Sequence, residues 1–265
     1  MLVVAGVFYQ AQVARLDPQN RSWLAEAASY PRAVEAVARS LRGYENVILN
    51  VANEHTVRPF ETCPFPMRTV EGVVELCQAA KLGDPQRLVG GGGGHGGGSG
   101  GGLSGTNAAL LVRPEVDLLL WDWGNPSPEA VATYRAVDAR KPLMNVEVFG
   151  ARAQGFVEVD AAGRPSWPGG GSTTPPPPSG SRRTQGVFPE GGSQGAHRGK
   201  ADFLAEIAFA AQTPGFSLFG HFPAWCQGPS RDPSFDNRFD LGGAGTPDDP
   251  GIRWYFEAVA RAQRG

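Results

Sequence analysis

The sequence predicts an α/β fold, a parallel sheet covered by helices, and three observations predict it. Apolar runs of strand length, rich in Val, Ile and Leu, recur along the chain and are continuous, the pattern of strands buried on both faces. Stretches with apolar residues at helical spacing lie between them, so strand and helix alternate. Two of the runs end at a carboxylate, where a barrel enzyme keeps its chemistry. These are Glu54, in Asn46-Val-Ile-Leu-Asn-Val-Ala-Asn-Glu-His55, and Glu147, in Lys141-Pro-Leu-Met-Asn-Val-Glu-Val-Phe-Gly150.

The elements follow in order. Residues 2–9 form the first strand. Residues 30–42 form a helix, with Pro31 in its first turn, where its missing N–H costs nothing. The second strand is 46–53. A helix over 69–81 places Val70, Val73, Val74 and Cys77 on one face. A short strand, Arg87-Leu-Val-Gly90, comes next, then Val116-Asp-Leu-Leu-Leu-Trp-Asp122. The following helix starts from Ser127 as N-cap, with Glu129 near the positive end of its dipole. A strand over 142–148, a helix over 199–212, a strand over 216–221 and a helix over 250–262 complete the chain.

Two segments interrupt this alternation. Residues 90–102 are glycine except for His95 and Ser99, a tract with too much conformational entropy to hold one fold unaided. Residues 163–196 carry the Pro175–Pro178 run among Gly, Ser and Arg and read as a long exposed loop. Each follows a strand, which places both on the rim of a barrel mouth. These tracts account for the high Gly and Pro counts, 37 and 23.

Composition bounds the function. A chain of 265 residues is long enough for one α/β domain. The net charge of -2 gives no electrostatic case for nucleic acid or an anionic membrane surface. Cys63, Cys77 and Cys226 are odd in number and lack CxxC spacing, so free buried thiols are expected in place of a disulfide framework or a cysteine-rich zinc site. The apolar N-terminus has no basic region before it and runs into Tyr9-Gln10-Ala11-Gln12, which reads as a strand and not a signal peptide. No run approaches the roughly 18 apolar residues of a membrane helix, so a soluble chain is expected.

Two carboxyl groups facing each other across a barrel mouth are the minimum equipment for cleaving a glycosidic bond. Here the residues resemble a known group. Val-Ala-Asn53-Glu54 is similar to the Asn-Glu signature that ends the fourth strand of clan A glycoside hydrolases, which include the family 5 cellulases. The resemblance implies a TIM (β/α)8-type barrel, with Glu54 as general acid/base and Asn53 on the sugar 2-hydroxyl. Glu147 resembles the clan's nucleophile, which ends the seventh strand. Fourth and seventh strands must be separated by two others, and the periodicity puts two strands between these glutamates. A retaining hydrolase needs one carboxylate to attack the anomeric carbon and one carboxylic acid to protonate the leaving oxygen, about 5–5.5 Å apart. Their environments must hold the two pKa values apart.

In clan A enzymes an aromatic side chain after the eighth strand forms a floor under the sugar. Phe216-Ser-Leu-Phe-Gly-His221-Phe-Pro-Ala-Trp225 resembles that segment, making Trp225 the candidate platform and His221 a candidate hydroxyl contact; alternatively Trp225 plugs the barrel end. Trp121-Asp122-Trp123 suits stacking by Trp123 and hydroxyl acceptance by Asp122, or is partly core. His55 stands where many relatives carry proline, and either contacts substrate or caps the next segment. Tyr9, Gln10 and Gln12 are weaker rim candidates. His95, His197 and the spaced Asp232, Asp236 and Asp240 match no ligand pattern.

The resemblance begins at the third barrel strand. No first or second strand and no counterpart of the arginine near the second strand is found, so the expectation is an incomplete, N-terminally truncated barrel of strands 3–8. The function expected is retaining hydrolysis of a β-glycoside, with a carbohydrate substrate and no metal or organic cofactor implied. Two alternatives stay open: an inactive carbohydrate-binding or scaffold protein of the same fold, and a barrel enzyme of sugar isomerisation that uses carboxylates with a divalent metal.

Overall fold

A computed structural model describes residues 2–9, 24–56, 58–92, 105–121, 128–146, 156–159, 165–166, 182–185, 190, 199–218, 242–246, 248–249 and 251–264. Along the chain these form β1 (Val3–Tyr9), α1 (Ser29–Ser40), β2 (Val47–Asn53), a 3-10 turn (Arg58–Thr62), α2 (Val70–Gly83) and β3 (Leu88–Gly91). There follow α3 (Gly105–Leu111), β4 (Leu118–Trp121), α4 (Pro128–Val137) and β5 (Leu143–Asn145). The remainder is β6 (Phe156–Val159), β7 (Pro165–Ser166), β8 (Arg182–Gln185), α5 (Lys200–Gln212), β9 (Phe216–Leu218) and α6 (Arg253–Ala262). The chain divides into two compact units: Met1–Val148 with Gly215–Phe219, and Phe149–Pro214 with Gly220–Gly265.

The first unit is α/β, as expected. Its six-stranded sheet runs β1-β2-β3-β4-β5-β9, and every pair is parallel. Strand order therefore follows chain order with no reversal among the described residues. A parallel partner is reached only by a crossover, and α1, α2, α3 and α4 supply the crossovers from β1 through β5. Two strands, β3 and β4, stand between β2 and β5.

Burial explains why these elements form. β2 is buried from Val47 through Ala52, as its continuous apolar run requires. Tyr30, Val34 and Ala38 recur every fourth residue and give α1 a single buried stripe. α2 buries Val73, Val74, Leu76 and Cys77, among others, and Thr69 caps it by accepting from the Gly72 N–H at 3.0 Å. α1 and α2 approach so closely that a Cβ on Gly83 would lie 2.2 Å from the Glu35 carbonyl oxygen, so only glycine fits there. A second cluster joins Ile48, Leu118, Leu120, Met144 and Val146, with Val4 packed against it, and every member lies on a strand or directly after one. No helix residue belongs to it.

Polar groups secure the amino ends of the strands. The Arg87 guanidinium, 4 % exposed, donates to the carbonyls of Leu41 (2.5 Å), Tyr44 (2.7 Å) and Val47 (2.7 Å) and pairs with Asp84 at 2.9 Å. It thereby ties the end of α1 and the start of β2 to the turn before β3. Beside it, Lys81 Nζ donates to Asp117 (2.6 Å) and to the Arg87 carbonyl (2.7 Å), while Asp117 also accepts from the Val89 N–H.

Three differences from the sequence reading are informative. α3 and the 3-10 turn were not expected, because both are short and neither carries an apolar repeat. Burial of Leu110, Leu111 and Phe60 holds them, together with an Asn107–Tyr134 bond of 3.3 Å. Residues 163–196, expected as one long loop, contain β7 and β8, which flank β6 in an antiparallel sheet of order β7-β6-β8. Its backbone pairing has no apolar alternation in Arg182-Arg-Thr-Gln185 to announce it. The Gly-rich tract likewise begins inside β3, since Gly90 and Gly91 pair with Leu118 and Leu119.

In the second unit α5 and α6 meet through edge-to-face contacts of Phe203 with Trp254 and Tyr255. Lys200 pairs with Glu190 and lies 5.8 Å from the Trp254 ring centre. Among the described residues no helix is long and apolar enough to cross a membrane.

Candidate active site

β2 ends at Asn53, which stands in register with Tyr9 of β1. Four residues before Glu54, inside the apolar run, Asn50 is 3 % exposed, and its Nδ2 donates to Asn53 Oδ1 at 2.8 Å. The bond uses the oxygen edge of the Asn53 amide and so turns its N–H edge the other way. Asn50 is flanked in register by Gly6 and Gly90, and its own Oδ1 has no hydrogen-bond partner among the described residues.

Glu54 follows directly. It is 5 % exposed and has φ 50°, the only non-glycine residue with positive φ among those described. A glutamate in the left-handed region is uncommon, because Cβ crowds the backbone there. Such outliers persist where the surroundings over-determine them, and they cluster at active sites.

His55 is fully buried, and its Nδ1 lies 3.1 Å from the Met67 carbonyl oxygen. A carbonyl only accepts, so Nδ1 carries the proton and Nε2 holds the lone pair; Nε2 has no partner among the described residues. One residue on, the Thr56 carbonyl accepts from Arg68 Nε at 3.1 Å, and Arg68 also pairs with Glu61 at 2.6 Å. The loop from Glu54 to Thr69 is thus sewn, first residues to last, onto the N-cap of α2.

Burial lowers the His55 pKa from 6.5 to about 4, against the opposing bond to Met67. Between those pH values the unfolded chain takes up a proton that the folded chain does not. The stability held by the neutral ring is therefore complete above about pH 6.5 and is lost as pH falls toward 4. The slope is roughly 1.4 kcal/mol per pH unit at its steepest. Urea unfolding across this range is expected to show that slope, and His55→Leu to flatten it. An equal slope in both proteins would rule out His55 as its source.

A second buried amide, Asn145, ends β5 with no exposure, two residues before Glu147. Neither Asn50 nor Asn145 was singled out from the sequence, although each is a polar residue inside an apolar strand, which was the available signal. Nearby, Tyr30 fastens α1 between Phe8 and Phe65, with ring centres 5.1 and 5.4 Å apart, and donates to the Leu24 carbonyl. Burial raises its pKa and that of the half-buried Cys63 beside it. Cys77 is a buried free thiol pushed up to about 12 by burial, which makes it inert.

The structure therefore brings Asn53, Glu54 and His55 together with Asn50 at the carboxyl end of β2. Glu147, Asp122, Trp123, His221 and Trp225 lie outside the described residues, as do Gln10, Gln12, His95, His197, Cys226, Ser127 and the three spaced aspartates. Among the described residues no group of three or more His, Cys, Asp or Glu is arranged to hold a metal ion. No protein-family model matches the chain, and no curated protein matches it.

Proposed function

We propose that the chain is a retaining β-glycoside hydrolase on a (β/α) barrel scaffold, with Glu54 as acid/base, Glu147 as nucleophile, Asn53 on the 2-hydroxyl and Trp225 as stacking platform. The observation that carries this reading is Glu54 itself. It is a buried carboxyl in a strained backbone conformation, directly after Asn53, at the carboxyl end of an interior strand.

Sheet order supports the scaffold. Doubly wound sheets reverse their strand order at a switch point, whereas barrels run in sequence, as β1 through β5 and β9 do. The cluster of Ile48, Leu118, Leu120, Met144, Val146 and Val4 supports it as well. An open sheet covers both faces with helices, while a barrel fills its interior from strands alone.

In this reading the Glu147 carboxylate attacks the anomeric carbon as the glycosidic C–O bond breaks, and Glu54 gives its proton to the departing oxygen. Water then attacks the glycosyl-enzyme ester. Glu54 takes the water proton, and the Glu147 carboxylate leaves. Asn53, held by the Asn50 amide at the end of β2, is the residue assigned to the sugar 2-hydroxyl.

The test is labelling with 2-deoxy-2-fluoro glycosides that carry an activated leaving group, read by peptide mass spectrometry. Stoichiometric adduct on the peptide containing Glu147, absent in Glu147→Gln, is the expected result. No adduct from gluco, manno and galacto probes on folded protein would refute turnover and leave a carbohydrate-binding protein.

A further inference from the structure

We propose that His55 is a positioning residue, whose bond to Met67 holds Glu54 in the left-handed backbone conformation that sets the place of its carboxyl. Glutamate has no short side chain that bonds its own backbone in that region, as Asn and Asp have, so the conformation is imposed from outside. On the side before it, Asn53 is fixed in the sheet by its register with Tyr9 and by the Asn50 amide. On the side after it, His55 is fully buried and fastened to Met67, whose own side chain is fully buried.

The far end of that fastening is rigid. Thr69 donates to the Pro66 carbonyl at 2.9 Å and accepts from the Gly72 N–H, so Met67 and Arg68 stand just ahead of a capped helix. Glu54 is the one residue between an anchor in β2 and an anchor on the approach to α2. The chain has to turn there, and it turns at Glu54. Since Nε2 has no partner among the described residues, the hydrogen bond of the ring is the one to Met67, and the ring works as a peg. The kinetic consequence rests on the hydrolase reading; the conformational one does not.

The experiment compares melting temperatures of Glu54→Gly and Glu54→Ala. Both remove the side chain, so their difference reports the backbone alone. With His55 present, Glu54→Gly is expected to melt several degrees above Glu54→Ala, because glycine accepts positive φ freely. With His55→Leu, which fills the space but donates nothing, the order is expected to reverse, since a relaxed chain prefers alanine. A glycine advantage that persists with His55→Leu would overturn the proposal. So would no glycine advantage with His55 in place, a comparison that stands even if His55→Leu fails to fold.

In the kinetic arm, His55→Leu is expected to lower kcat 10- to 100-fold with KM within a few-fold, and His55→Asn, which keeps a donor, to recover most of it. Full kcat in folded His55→Leu would overturn the positioning role. A wild-type protein without activity would refute the hydrolase reading, while the melting comparison would still decide the role of His55.

Discussion

Glu54→Gln is expected to lower kcat for a β-glycoside with a poor leaving group by roughly 10²–10⁴-fold, the contribution of a positioned general acid/base. Glutamine keeps the shape and accepts the same backbone conformation, so folding should survive and the loss should be chemical. Leaving-group dependence separates this role from others. A dinitrophenolate departs without a proton, so the first step is spared on such a substrate. The second step still lacks its base, and the glycosyl-enzyme should accumulate. Azide needs no general base, so adding it should restore turnover and yield the glycosyl azide. Chromatography of the products and steady-state kinetics check both points. Equal rates for Glu54→Gln and wild type on a poor leaving group would end the assignment.

The second large effect is on stability. Arg87→Ala is expected to cost about 3–5 kcal/mol, measured by urea unfolding, because it breaks a buried ion pair and leaves the partner uncompensated. Asp84 would be left as an 8 %-exposed residue without its cation, and the carbonyls of Leu41, Tyr44 and Val47 would lose a shared donor. Adding Asp84→Asn should recover part of the loss. It removes the stranded charge but keeps an Oδ1 for the Gln86 N–H, which lies 3.2 Å away. Arg87→Lys should not rescue, since a single ammonium cannot reproduce the fork that reaches three carbonyls and a carboxylate. Stability unchanged in Arg87→Ala would show that the network contributes nothing net.

Much of this fold was legible in the sequence because parallel strands announce themselves as continuous apolar runs. Val47–Asn53, Leu118–Trp121 and Leu143–Asn145 each fall inside an expected strand, and α2 begins within a residue of its expected start. What was not legible depends on contacts across the chain. Gly105–Leu111 is a poor helix by itself and is held by burial of two leucines. β6 through β8 pair by backbone, which leaves no periodic trace. At the site, the Asn53–Glu54 pair was readable from residue type and strand end. The positive φ of Glu54 was not, because nothing about glutamate predicts it. The Asn50 amide carried a signal, a polar residue in a buried strand, whose meaning appears only once its bond to Asn53 is seen.

The sequential strand order has a consequence for the time course of folding. From β1 to β5 each strand pairs with its immediate successor in the chain, and the connection to be closed shortens along the sheet, from the Val3–Val47 pairing to the Leu119–Leu143 pairing. Parallel pairings of this kind are non-local, and each must meet its loop-closure entropy before its contacts form. The partner of β5, however, is β9, and residues 149–214 intervene. Docking of β9 therefore carries the largest loop-closure entropy in the sheet. Of the five pairings in the sheet, β5 with β9 is therefore the one expected to form last.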